Sequence, residues 1–352
     1  KTSTLPPDLG TVSEALQQHG YATGGIVANI NLAPSFGFQQ GYDEYHYLSP
    51  DYLFGAKESS SKLIFYQIGR KVALKRKPGH RVTDYYQDAA TVTRVAGDWL
   101  TRHRDSRFFL LLHYMDPHDP YFPHPYTGEG IARVEADNPD PSHAAHMREL
   151  YDGEIRFTDE HIGMVEAKLR ELGIWDDTMI VITADHGEEF QEHGGWWHGT
   201  TLYDEQIRVP LLVKWPKGKV GAPARVTDHP VRHIDVAPTL LTLAGAPIPD
   251  GMQGKDLAVP MAKRSESERM HYAEEDHEGN VLHAIRTNTW QLIEANAGNP
   301  RGLPNEELFA IGRDPKETQN VVEENATVAA EMRRHAGAQR QLAASQAVEG
   351  GE

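Results

Sequence analysis

Two short apolar runs, each stopping at a cluster of carboxylates and imidazoles, do most to constrain the fold. Phe108-Phe-Leu-Leu-Leu-His113 is apolar on both faces, as a central strand of a parallel sheet must be. It runs into Asp116-Pro-His-Asp-Pro120, where two prolines break any ladder. Met179-Ile-Val-Ile-Thr183 reads as the next central strand and leads directly into Ala184-Asp185-His186-Gly187. Between them, Ile155, Ile162, Val165, Leu169 and Leu172 are spaced 7, 3, 4 and 3. That spacing makes one face of a long helix, which Gly173 ends. Upstream, Thr11-Val-Ser-Glu14 is a capping box that opens a short helix running to Gly20. Gly25-Ile-Val-Ala28 then reads as a buried strand. Helix, Gly, strand in succession predicts an α/β fold with a parallel sheet.

Elsewhere the chain reads as residues 37–52 in a loop, a basic stretch over residues 70–81, and a helix over residues 84–102. Residues 129–142 read as a polar surface excursion. Val209-Pro-Leu-Leu-Val213 is a further strand, with Pro210 at its start or at a sheet edge. Asp235 is placed to cap a helix from Val236 to Ala244 that Gly245 stops. Residues 251–267 have linker composition, and 270–312 read as short strands of a small antiparallel unit. From about Val321 the sequence predicts at best a surface helix with a frayed tail.

Composition removes several classes. The chain carries 51 acidic and 35 basic residues, a net charge of −16, which opposes general nucleic-acid binding. No apolar run approaches the ~20 residues of a transmembrane helix. There is no cysteine, so these residues hold no disulfide, thiolate metal site or cysteine nucleophile. Lys1-Thr-Ser-Thr-Leu-Pro-Pro7 does not have the apolar core of a signal peptide. The supply of 19 histidines makes metal or acid–base chemistry worth seeking. Asn325-Ala-Thr327 is a glycosylation triplet of a kind that arises often by chance.

In parallel α/β sheets, sites form beyond the carboxyl ends of strands, so both clusters are expected on one rim. Asp185 and His186 offer half of a divalent-cation site; the alternative is a strand-end aspartate capping a helix. His198, in a Gly- and His-rich loop, can give a proton to a leaving group or be an exposed loop histidine, and His193 has the weaker version of the same case. His118, between two prolines, is a rigid donor for an anionic substrate or a side chain packed on Tyr121. Asp159 and His161 read as structural. The basic stretch reads as a solvated loop, with a polyanion-contacting lid as the alternative.

Six segments, in order, resemble the sulfatases of the alkaline-phosphatase superfamily. They begin at Leu5-Pro-Pro-Asp-Leu-Gly-Thr and include His113-Tyr-Met-Asp-Pro-His-Asp-Pro-Tyr121 and Ile180-Val-Ile-Thr-Ala-Asp-His-Gly-Glu188. They continue through His198-Gly-Thr-Thr-Leu-Tyr-Asp, His233-Ile-Asp-Val-Ala-Pro-Thr and Glu307-Leu-Phe-Ala-Ile-Gly-Arg-Asp-Pro. The resemblance implies an alkaline-phosphatase-like mixed, mostly parallel sheet between helices, followed by a small C-terminal antiparallel α+β domain. It implies a catalytic domain over residues 1–264, a subdomain over 265–322 and a helical or disordered tail over 323–352. It also implies Asp185 and His186 as ligands of one divalent cation, calcium first, with manganese or zinc compatible with the imidazole. His118 matches the family's substrate-binding histidine. His198 stands where many members have a lysine that contacts the sulfate and helps the leaving group.

The sequence departs from the family in two places. The strand with two further metal-binding aspartates, and the Cys- or Ser-x-Pro-x-Arg segment whose first residue becomes formylglycine, have no counterpart in these residues. The expectation is therefore an N-terminally truncated sulfatase that is inactive alone and prone to associate through bare apolar edges at residues 25–28 or 108–113. The family's Lys-x-His is replaced by Ala28-Asn-Ile30, where Asn29 is a candidate substrate contact. The implied function is metal-dependent hydrolysis of a small-molecule or carbohydrate sulfate ester. A phosphoester or phosphonate hydrolase of the same superfamily and a non-catalytic remnant are the alternatives. Compartment and oligomeric state stay open.

Overall fold

The computed structural model describes residues 4–52, 63–76, 81–133, 138–218, 231–259, 263, 265 and 270–346. They form two compact units that divide between Asp177 and Thr178. Parts of the expected basic stretch (77–80), surface excursion (134–137), linker (260–262, 264, 266–267) and tail (347–352) lie outside the described residues.

The first unit opens on the expected capping box. Thr11 Oγ1 accepts from Glu14 N at 3.1 Å and Glu14 Oε2 accepts from Thr11 N at 3.0 Å, starting α1 (Val12–Gln18). The chain then enters β1 (Ala22–Val27), the middle strand of a parallel sheet. Its neighbours are β2 (Glu44–Tyr47) and β3 (Phe108–His113). β2 corrects the expected loop over 37–52: its Gly-rich flanks mask four extended residues that pair with β1. A Cβ at Gly25 would collide with the Tyr45 ring, and one at Gly24 with Trp99, so the glycines of β1 admit aromatic side chains against both faces of the strand. Because β1 is paired on both sides, its edge is not bare. β3 pairs with β1 alone among the described residues.

The helices of this unit differ from the sequence reading in phase. Residues 70–76 are not loop but part of α2 (Ile64–Arg76). α3 (Ala89–His103) starts after 84 because Val82–Asp84 forms a separate 3-10 turn and Asp88 is the N-cap, accepting from Thr91 N at 2.9 Å. It buries Ala89, Val92, Ala96, Trp99 and Leu100, a 3.6-residue stripe. α4 (Ala144–Glu171) buries Met147, Glu154, Thr158, His161 and Leu169, whereas Ile155 is exposed. The buried face is thus rotated from the expected apolar stripe, because Glu154 and His161 are turned inward and hydrogen-bonded.

The second unit opens on β4 (Ile180–Thr183), which the sequence reads as a central strand of the parallel sheet. Among the described residues it pairs antiparallel with one strand. A tight hairpin follows, β5 (Glu189–Phe190) and β6 (Trp196–Trp197), then α5 (Asp204–Ile207). The partner of β4 is β7 (Leu211–Lys214), which begins right after Pro210 as expected. α6 (Val236–Ala244) ends at Gly245, φ +71°, where a left-handed residue closes a helix at least cost in glycine. Asp235 precedes it but does not cap it with its side chain. Its buried carboxylate accepts from Lys255 N at 2.9 Å and Arg232 Nη2 at 2.8 Å.

β8 (His271–His277), β9 (Asn280–Arg286), β10 (Gln291–Ala295) and β11 (Glu306–Phe309) form the expected antiparallel sheet in the order β11-β10-β9-β8. α7 (Ala326–Gln346) is the expected surface helix, docked by one narrow stripe. Its Ala329, Met332 and Ala336 are buried against Ile285, Leu292 and Leu308. A stripe built from alanine and methionine is too mildly apolar to stand out in an Ala-, Gln- and Glu-rich stretch.

Candidate functional site

Asn29 and His118 belong to the first unit; Asp185, His186 and His198 belong to the second. In the first, Val27 and His113 are register partners of parallel strands, so β1 and β3 leave the sheet at the same carboxyl edge. Asn29 follows β1 by two residues and caps the turn Ile30–Leu32, its Oδ1 accepting from Asn31 N at 2.9 Å. His118 follows β3 by five. Its Nδ1 donates to the Asp119 carbonyl at 2.8 Å, which puts the lone pair of the neutral ring on Nε2.

Buried carboxylates hold the loop that carries His118. Glu154 Oε1 accepts from Phe122 N at 2.7 Å and its Oε2 pairs with His124 Nε2 at 2.7 Å. Asp119 Oδ2 accepts from Arg133 N at 3.1 Å. Asp116, only 1% exposed, accepts from Ala89 N at 2.9 Å through Oδ1, while Oδ2 has no hydrogen-bond partner among the described residues. Burial pushes its carboxyl up to about 7. Asp116 is therefore a loop anchor at the start of α3 rather than a surface ligand.

This has a sign. A carboxyl raised on folding favours the protonated native state. Its contribution is full below the ordinary aspartate range and is lost as pH rises through about 7. Chemical denaturation of the protein should show on the order of 3 kcal/mol of stability lost between about pH 4 and 7 from this group. Asp116→Asn should flatten that fall; an unchanged pH profile in the variant would contradict the assignment.

In the second unit, Asp185 and His186 follow β4 directly. The Asp185 side chain is 78% exposed, and its Oδ1 accepts from His186 N at 3.1 Å. His186 Nδ1 donates to the Gly187 carbonyl at 2.8 Å, so the neutral ring has its lone pair on Nε2, 3.9 Å from Asp185 Oδ1. A single cation with ligand distances of about 2.0–2.4 Å spans such a bite. The pair therefore fits as two ligands of a divalent ion. No group of three or more ligating side chains occurs among the described residues. A Cβ at Gly187 would collide with the Glu205 carbonyl, so only glycine lets the chain pass here beside His186.

His198 follows β6, and the hairpin register Glu189↔Trp197 places Glu188 opposite it. Glu188 Oε1 accepts from His198 Nδ1 at 3.0 Å, with the Glu188 side chain 2% exposed. The His186 and His198 rings stack with centroids 3.8 Å apart. Glu188 is the residue that sequence reasoning missed. The signal was present: a hairpin turning at Gly194-Gly195 sets the residue before β5 across from the residue after β6. Trp197, just before His198, has φ +69° with a buried side chain, backbone strain that the surrounding packing must hold.

That hairpin is clamped from below. Glu189 accepts from Gly195 N at 2.8 Å, Arg301 Nη2 at 2.7 Å and Gln206 Nε2 at 3.0 Å. His193 pairs with Glu205 at 2.6 Å and stacks on Tyr203 at 3.7 Å. Burial pulls its imidazolium down, but Glu205 more than offsets this and carries it up to about 9. His193 is thus a charged clamp of the turn.

The Sulfatase family model matches residues 3–246, and the model of the N-sulphoglucosamine sulphohydrolase C-terminal region matches 191–342. Steryl-sulfatase of Rattus norvegicus is 32% identical over 190 residues, covering 50% of this chain and 30% of its own length. Choline-sulfatase of Rhizobium meliloti is 24% identical over 336 residues, covering 79% of this chain and 63% of its own. The chain thus spans less than two thirds of either relative. A structure solved with its substrate D-glucosamine-2-N,6-O-disulfate shares the fold, with a TM-score of 0.67 at 20% identity over 97% of this chain and 83% of that one. The alkaline-phosphatase-like fold and a family model spanning more than half of the residues lead to one conclusion: the chain belongs to the sulfatase family.

Proposed function

We propose that the protein hydrolyses a sulfate ester of a small molecule or carbohydrate, with His198 giving the proton to the departing oxygen. The contact of His198 with buried Glu188 carries this reading. A carboxylate on Nδ1 orients the ring and aims Nε2, the position from which an imidazolium gives up its proton, away from the protein's own acceptor. His118, held through Nδ1 by the Asp119 carbonyl, would as an imidazolium donate from Nε2 to an anionic ester oxygen, and the Asn29 amide would be a second contact. Asp185 and His186 would hold a divalent cation, calcium first, which when bound supplies charge neutralisation at the ester oxygens. The family's formylglycine nucleophile comes from none of these residues, which include no cysteine. A carbohydrate substrate is supported by the disulfated glucosamine bound to the structural neighbour.

The test is a substrate panel run on the product of the whole reading frame that contains this chain. Matched p-nitrophenyl sulfate, phosphate and phenylphosphonate esters are compared by kcat/KM. The reading expects the sulfate to be the preferred substrate. Preference for the phosphonate or phosphate would move the protein to phosphoryl chemistry, and no turnover of any ester would favour a non-catalytic role.

A further inference from the structure

We propose that the outer face of α2 docks this protein onto an anionic lipid surface. The helix packs on the first unit through one side only. Tyr66 meets Tyr52 edge-on at 6.5 Å, and Arg70 donates to the Asp84 carbonyl. The opposite side presents Ile64, Ile68 and Val72 at positions i, i+4 and i+8, with Phe65 beside them and Leu63 just ahead. Exposure there is 65% for Ile64, 86% for Phe65 and 57% for Ile68. Single exposed apolar residues are ordinary on a soluble protein, but a continuous stripe of large ones marks a place of contact.

The charge of the same helix says what the contact is with. Besides Arg70, which is turned to the Asp84 carbonyl, the sequence Ile64–Arg76 holds Lys71, Lys75 and Arg76 and no acidic residue, in a chain whose net charge is −16. An apolar stripe with cations on a helix about 20 Å long suits the boundary between headgroups and acyl chains. There the rings and branched chains are buried while a basic side chain such as exposed Lys71 meets lipid phosphates. A sulfated polysaccharide would satisfy the cations but leave Phe65, Ile64 and Ile68 in water. A second copy paired face to face would bring two sets of like charges together, which opposes association.

The test is co-sedimentation of the full chain with vesicles of phosphatidylcholine alone and of phosphatidylcholine with phosphatidylglycerol in equal parts. Binding is expected to the mixed vesicles, to weaken several-fold without phosphatidylglycerol and to fall as salt is raised. The double variant Phe65→Ser, Ile68→Ser should bind at least about tenfold more weakly, and Lys71→Glu about fivefold or more. All these positions are exposed, so each variant should keep the wild-type circular dichroism spectrum. No binding to the mixed vesicles, or equal binding by the double variant, would overturn the proposal. So would a concentration-dependent dimer of the wild type that the double variant abolishes, which would assign the face to a second copy. Retention on a sulfated polysaccharide without vesicle binding would assign it to a polyanion.

Discussion

Replacing His198 by alanine should lower kcat by ~10²–10⁴-fold on alkyl or sugar sulfates and far less on p-nitrophenyl sulfate. A basic departing oxygen needs its proton in the transition state, and a nitrophenolate does not. The structure adds a second, sharper expectation. Glu188 touches the ring at 3.0 Å through Nδ1 and acts on the reaction through His198. Glu188→Gln should therefore reproduce the leaving-group trend at smaller size, and the double variant should be no slower than His198→Ala alone. Equal losses on alkyl and aryl sulfates would reduce His198 to a binding residue. Additive losses in the double variant would separate Glu188 from it.

The other large effect is expected at Asp185. Its carboxylate stands exposed beside the His186 imidazole, and removing it leaves a cation with uncompensated charge and one fewer oxygen ligand. Asp185→Ala should cost more metal affinity than the ~10–100-fold that loss of an outer-shell partner costs. Elemental analysis after dialysis, on the product of the whole reading frame, should find the variant without its divalent ion. Unchanged metal content would remove Asp185 from the ligand set. An exposed carboxylate at this position also has little packing to lose, so the variant should remain folded and its result interpretable.

Periodicity and punctuation made much of the fold legible. The Thr11–Glu14 box, Pro210 before β7, Gly245 after α6 and the antiparallel strands within 270–312 all stand where local chemistry puts them. The misses arise where burial and apolar patterning part company. α4 turns Glu154 and His161 inward, so a stripe drawn through Ile155 and Leu172 is out of phase. α7 buries two alanines and a methionine, too little hydropathy to register. β2 hides among Gly and Tyr, and α2 leaves its most apolar side in water.

The candidate site can be proposed from sequence where consecutive residues carry it. Asp185 and His186 are adjacent in sequence, and His118 is fixed between prolines. It was not legible where a tertiary or hairpin pairing creates it. Glu188 reads as one acid among several after the glycine until the register Glu189↔Trp197 sets it against His198. His193 reads as a second candidate acid until its contacts with Glu205 and Tyr203 show it holding the turn instead.

The central claim is that a sulfate ester breaks between sulfur and the departing oxygen, with His198 protonating that oxygen. Hydrolysis of an alkyl sulfate in water labelled with heavy oxygen, with both products read by mass spectrometry, tests this most directly. Cleavage at sulfur puts the label in the inorganic sulfate and leaves the alcohol unlabelled. Label in the alcohol would mean that the carbon–oxygen bond breaks, sulfate leaves without needing a proton, and the role given to His198 is wrong.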